Sequence, residues 1–233
     1  MKKTIYFAWI AVAACIGVSC TNEIDNYDAP AGGIKGTVYD AATNEPIPLP
    51  TQGDGGVLVN LFEQHTGATR SVDFRAKQDG TYENSQLFDG EYKIVVNGPF
   101  VDKCEGAVTV QGQTTFDLKA TPYSRIDIQA AVDAANRIRI TYSAVPSNPS
   151  FTVSEVSLMW NFAPGVDVNS SNYAAKATAG SSSGTYTFDL AADKNFNDNL
   201  YKIVSNGKKI YVRAAAEVKG NINYSNVVEL QIN

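Results

Sequence analysis

The chain has 233 residues, 44% of them hydrophobic and 18% charged, with 24 acidic against 19 basic side chains, a formal net charge of −5 and a single histidine. That balance excludes nucleic-acid or anionic-bilayer binding driven by charge, which needs clustered Lys and Arg. One histidine also excludes a multi-histidine metal site.

The N-terminus opens with Met1, Lys2 and Lys3, runs apolar from Ile5 to Val18, and reaches the small residue Ser19 just before Cys20. A short basic start, an apolar stretch and a small-residue border form a secretory signal, so residues 1–19 read as a signal peptide and 20–31 as an exposed tether. The apolar stretch is too short to cross a bilayer, which takes about 20 residues. A small-residue ending followed at once by Cys resembles the lipobox of bacterial lipoproteins, and the resemblance implies a lipid-modified thiol at Cys20. Val12, Ala13 and Ala14 fit the same local pattern, leaving Cys15 as the alternative acylated residue. An anchor of two or three acyl chains holds a protein at a membrane, because each buried methylene contributes about 0.8 kcal/mol. Removal of residues 1–19 takes two lysines away and leaves 17 basic against 24 acidic residues, a net charge of −7. Only Cys104 then remains beside the lipidated cysteine, which excludes a disulfide framework.

Period-two alternation dominates the chain beyond the tether, which predicts an all-β protein. IKGTVYD, VLVNLFE, SVDFRAK, YKIVV and the AVTV to FDLKA region read as strands, punctuated by TNEP, DGG, QDG, FDG, NGP and QGQ. Short strands at such spacing predict a β-sandwich. In this region Gly36, Val38, Asp40, Pro46, Asp79, Gly80, Gly90 and Tyr92 occupy the places that define the transthyretin-like or carboxypeptidase-regulatory module, so residues 32–121 resemble that β-sandwich. The segment LPTQGDGG, ahead of Val57, departs from the short link usual there. Modules of this kind are mostly non-catalytic companions of other domains.

ATPYSR, residues 120–125, reads as a linker, since Pro122 cannot extend a central strand. Beyond it, one-faced alternation places Ile126, Ile128, Ala130 and Val132 inward, then Ile138, Ile140 and Tyr142, then Val156, Leu158, Trp160 and Phe162. Tyr186, Phe188 and Leu190, then Ile210, Val212, Ala214, Ala216 and Val218, and finally Val228, Leu230 and Ile232 continue the pattern, as half-buried antiparallel strands do. Tyr211, Arg213, Ala215, Gly220, Tyr224, Ser225 and Asn226 fill the last hairpin of a fibronectin type III or immunoglobulin-like domain, so residues 122–233 resemble a second sandwich. A lipoprotein signal followed by these two modules resembles a family of outer-membrane lipoproteins of SusC/SusD-type glycan-uptake loci. That resemblance implies a cell-envelope location, a glycan ligand and an uptake complex as partner.

No catalytic constellation, cofactor motif or metal motif emerges. His65 in FEQHTGATR reads as a solvated loop residue, and Cys104 as a buried small hydrophobe. DKNFNDN, residues 193–199, imitates the start of a calcium loop, but Asp198 stands where that loop needs Gly and Val204 where it needs Glu, so the segment reads as a polar loop. Asp and Glu fall in turns and on outward strand faces, with nothing to make them converge as a glycosidase pair. Sugar binding instead calls for aromatic faces beside polar groups, and the candidates are Tyr173, Phe151, Phe196 and Trp160. Trp160 shares a register with core residues, which makes it a core side chain, and the other three read as loop anchors ahead of sugar platforms. Three functions are consistent with these residues: a non-catalytic accessory glycan binder, a structural spacer or protein-interaction module, and an unrecognised hydrolase.

Overall fold

The computed structural model describes residues 28–233, so the signal, Cys15, Cys20 and most of the tether lie outside the described residues. The rest is all-β, arranged as two β-sandwiches. In the N-terminal unit, β1 (Gly32–Asp40) carries β4 (Thr81–Leu87) on one edge and both β7 (Gln113–Thr115) and β8 (Leu118–Ala120) on the other. The facing sheet runs β3 (Val72–Arg75), β2 (Leu58–Glu63), β5 (Gly90–Asn97) and β6 (Cys104–Val110). Alternation fills the space between them: Val59 and Leu61 on β2 and Tyr92, Ile94 and Val96 on β5 are buried against Ile34, Val38 and Tyr82. Each such aliphatic or aromatic side chain contributes about 1.5–3 kcal/mol.

The residues that define the opening pattern have physical reasons for being there. β7 and β8 both run parallel to β1, and the chain between them presses the Phe116 carbonyl onto Gly36, where a Cβ would lie 1.8 Å from that oxygen. The Tyr82 hydroxyl donates to the same carbonyl. Gly80 takes φ +85° at the turn before β4, beneath the Ile47 carbonyl. The Tyr92 hydroxyl donates to Phe88 O at 2.9 Å.

In the C-terminal unit one sheet runs β13 (Ser183–Asp189), β10 (Arg137–Pro146) and β9 (Ser124–Val132). The other runs β12 (Ala175–Ala179), β11 (Val153–Asn161), β14 (Lys209–Val218) and β15 (Asn221–Tyr224), with β16 (Val228–Gln231) also on β14. Ile138, Ile140 and Tyr142 pack with Val156, Leu158, Trp160, Ile210, Val212 and Ala214, as the alternation predicts.

Two expectations fail. The polar loop at 193–199 is instead the start of a helix, α1 (Lys194–Ser205). Asp193 caps it, its carboxylate accepting from the amides of Asn195 at 2.8 Å and Phe196 at 3.3 Å, which satisfies two of the unpaired N-terminal donors. Phe196 and Ile203, seven positions apart, are buried on one face of it. Second, β11 and β14 are buried on both faces: Met159, Tyr211, Arg213 and Ala215, which alternation turns outward, are all covered. Val166, Tyr224 and half-buried Val168 and Tyr173 cover much of that face, and the N-terminal unit reaches the rest.

Candidate functional site

The two units meet along a polar seam, and its central device is Arg213. Its side chain is 0% exposed and donates to Ser225 O at 2.8 Å, Val166 O at 2.9 Å and Leu49 O at 2.8 Å, with a longer contact to Gln78 O at 3.3 Å. Leu49 and Gln78 belong to the N-terminal unit, so one guanidinium ties both units together. The Tyr224 ring lies 4.6 Å beneath it. Burial pulls the Arg213 pKa down to about 10, so the group stays charged at neutral pH. Asp167, 3% exposed, is the matching buried anion. Its carboxylate accepts from the amide of Thr51 at 2.9 Å, the Thr51 hydroxyl, Asn169 N at 2.9 Å and Asn172 Nδ2 at 3.0 Å. Buried charges are tolerated when so completely hydrogen-bonded. Pro48, Leu49, Pro50 and Thr51, at the head of the segment that departs from the usual short link, are therefore the part of the N-terminal unit that docks on its neighbour.

Beside this seam lies a cleft of about 540 Å³. One wall is the turn after β1, from Thr43 to Pro48, joined by Asp79; the other is the linker and start of β9, from Pro122 to Asp127, with Asn223, Tyr224 and Asn226 closing the end. The turn is shaped by Asp40, whose carboxylate accepts from Ala42 N at 2.9 Å, and by Asn44 at φ +58°. Across the cleft Arg125 grips Asp40 through Nε at 2.5 Å and Nη2 at 2.8 Å. Burial alone would raise the Asp40 pKa, but the Arg125 hydrogen bond, the Ala42 amide and the Arg125 charge outweigh it and hold the carboxyl below the usual range. Asp79 is also held low, the cost of burial being outweighed by hydrogen bonds from the Thr81 hydroxyl and amide and by the Lys77 charge. Pro46, Pro48, Pro122 and the buried Ile47 and Ile126 supply apolar surface. Ser124, 2% exposed, lines the cleft and carries a buried hydroxyl with no hydrogen-bond partner.

None of the four aromatics singled out in the sequence lines this cleft. Trp160 is 0% exposed in the C-terminal core, where Nε1 donates to Asp193 Oδ2 at 3.1 Å. Phe196, expected in a loop, is a buried helical residue 6.1 Å from Trp160 in edge-to-face contact. These two meet each other and present no face to a ligand. Tyr173 is half-buried against the outer face of β11 and β14, with Lys176 Nζ 5.9 Å from its ring. Phe151 is partly exposed, stacked 5.7 Å from Tyr123 and topped by Lys219 Nζ at 4.0 Å. Sequence reading overlooks Tyr123, Tyr201 and the cleft groups Arg125, Asp79 and Ser124. Arg213 has a signal, since a strand apolar on both faces, as in KIYVRAAAEV, is one buried on both.

Other reactive groups are quiet. Cys104 is buried and its thiol is pushed up to about 11 by desolvation, which leaves it unreactive. His65 Nε2 lies 3.1 Å from Glu63 at a partly exposed site over Gly90. Among the described residues no group of three or more His, Cys, Asp or Glu is placed to hold a metal, and no helix is long and apolar enough to cross a membrane.

Fold and seam together define a tandem β-sandwich with a ligand-sized cleft at the junction. Residues 32–121 match the N-terminal domain of DUF3823, a protein family of unknown function. The chain is similar to the crystal structure of a DUF3823 family protein from Parabacteroides merdae, at 24% identity and a TM-score of 0.72 over 88% of this chain and 100% of the other. A DUF3823 family protein from Bacteroides uniformis aligns at 18% identity and a TM-score of 0.67, covering 88% of this chain and 100% of that one. A candidate carbohydrate-binding protein, also from Bacteroides uniformis, aligns at 20% identity and a TM-score of 0.66, covering 87% of this chain and 100% of that one. At these identities the likeness establishes the fold. No curated protein matches the sequence.

Proposed function

We propose that the protein is a non-catalytic lipoprotein of the bacterial cell envelope, anchored in the outer membrane through Cys20, that binds a glycan in the cleft between its sandwiches as an accessory to a polysaccharide-uptake system. The observation that carries the reading is the cleft itself. Its volume of about 540 Å³ falls within the range of small-molecule sites. It sets proline surface beside carboxylates, the Asn226 amide and an unpartnered buried hydroxyl, a mixture suited to a sugar's apolar ring faces and hydroxyls. The seam that frames it is held by Arg213 and Asp167, so the cleft is preorganised and little ordering entropy is lost on binding. The similarity to a candidate carbohydrate-binding protein agrees with this reading.

Titration calorimetry of the mature chain against a polysaccharide panel tests it. Binding by wild type that disappears when Thr43→Trp and Asn226→Trp plug the rim is the expected result; failure to bind any polysaccharide removes the reading. Mass spectrometry of protein from the native host tests the anchor, which predicts acyl chains on Cys20. A second reading, a spacer or docking module of the uptake complex, draws on the rigid seam and on exposed Leu200, Tyr201 and Val204 along α1. Co-purification with a porin complex in the absence of any sugar affinity would favour it.

A further inference from the structure

The cleft carries an unusual charge pattern for its size. Glu45 on the turn after β1, Asp79 before β4 and Asp127 on β9 come from three separate segments and line one cavity. None of the three takes part in an ion pair among the described residues. Arg125 is the one cation among the lining residues, and its guanidinium is already engaged through two nitrogens by Asp40. Lys77, whose charge reaches Asp79 from outside the cavity, is paired with Glu83 at 3.4 Å. The cleft thus carries three carboxylates without a salt-bridge partner, Asp79 being met only by the Lys77 charge and the Thr81 hydrogen bonds, and has the unpartnered Ser124 hydroxyl buried in its lining. A buried hydroxyl without a partner is uncommon, and a polar ligand atom entering the cleft would complete it.

We propose that this cleft selects its sugar by charge, favouring amine-bearing residues such as hexosamines, accepting neutral ones and turning away uronic acids. The inference rests on the glycan-binding reading and narrows it to a substrate class. Carboxylates accept hydrogen bonds from sugar hydroxyls and, more strongly, from an ammonium, whereas a ligand carboxylate meets only repulsion from them. At a separation of about 7 Å in a water-like dielectric, each carboxylate changes the affinity for a unit charge about 2- to 3-fold. Three acting together, less screening, separate amine-bearing from neutral ligands roughly tenfold and amine-bearing from acidic ones more widely.

The test compares three tetrasaccharides by calorimetry on the mature chain at mildly acidic pH: β-linked glucosamine, its N-acetylated form and galacturonic acid. Glucosamine is expected to bind roughly tenfold tighter than the neutral form, with galacturonate weakest. The advantage should collapse in Glu45→Gln with Asp127→Asn, both at exposed positions that leave the fold intact. Charge attraction to the acidic surface at large is separated by Asn226→Trp, which keeps every charge yet fills the rim and is expected to abolish glucosamine binding. Persistence of binding in that variant overturns the proposal. Galacturonate binding as tightly as glucosamine, and blocked by the same plug, overturns charge selection while leaving the glycan site standing. Absence of binding by all three overturns the selection for amine-bearing sugars and leaves the glycan reading to the polysaccharide panel.

Discussion

Replacing Arg213 by methionine isolates the energetics of the seam. Methionine keeps much of the volume and relieves the desolvation of the charge; net of the opposing pull of Tyr224 and Asp167, the fall of the pKa from 12.5 to about 10 corresponds to roughly 3 kcal/mol. Against that gain, the carbonyls of Leu49, Val166 and Ser225 lose their donor, as does the more distant carbonyl of Gln78. Each orphaned buried acceptor costs about 1–3 kcal/mol, and loss of the stacked cation over Tyr224 adds about 1 kcal/mol. Taking the three close carbonyls at mid-range, the balance is a net destabilisation of about 4 kcal/mol, a drop in Tm of roughly 8–16 °C for a chain of this size. Because Leu49 and Gln78 lie in one unit and Arg213 in the other, the loss should also change cooperativity. Scanning calorimetry is expected to show one unfolding transition for wild type and two for Arg213→Met. A single transition within about 2 °C of wild type would refute the idea that this side chain couples the units.

Breaking the cleft pair gives a pH signature. Arg125→Met leaves Asp40 buried without its cation and is expected to cost about 2 kcal/mol at neutral pH, at the low side for such pairs because Arg125 is partly exposed. Asp40 titrates below its ordinary 3.8 in the folded protein, so the pair's stabilisation is present above about pH 4 and is lost as pH falls through the lowered value. Denaturant unfolding should therefore show the variant's deficit shrinking as pH falls below 3.8, and a deficit constant with pH would contradict the assignment. Trp160 is the sole tryptophan after residue 19 and is fully buried, so native emission should be blue-shifted and should not respond to added glycan. A sugar-dependent change in that emission would place the ligand in the C-terminal core instead.

Both sandwiches are legible in the sequence because most strands have one wet and one dry face, as in RIRITYS, where Ile138, Ile140 and Tyr142 alternate with polar residues. The helix α1 is hidden because Asn195, Asn197 and Asn199 are weak helix formers and only Phe196 and Ile203 mark its inner face; it forms through the Asp193 cap and its docking on the core. Local polarity marks the aromatics as sugar platforms, and that signal fails where Phe196 turns inward on a helix. The cleft leaves no trace in any single stretch. Its walls come from Asp40 to Pro48, Asp79, Pro122 to Asp127 and Asn223 to Asn226, and only the approach of β1 to β9 across the junction brings them together.

The segment from Pro48 to Thr51 has a mechanical consequence. With Leu49 and Thr51 seated on the neighbouring unit, the two sandwiches form a bracket of fixed angle, each holding whatever it carries at a set orientation to the other. Trimming the segment to a tight turn should keep both sandwiches and convert the bracket to a jointed arm, a change that small-angle scattering would register as a broader distribution of lengths.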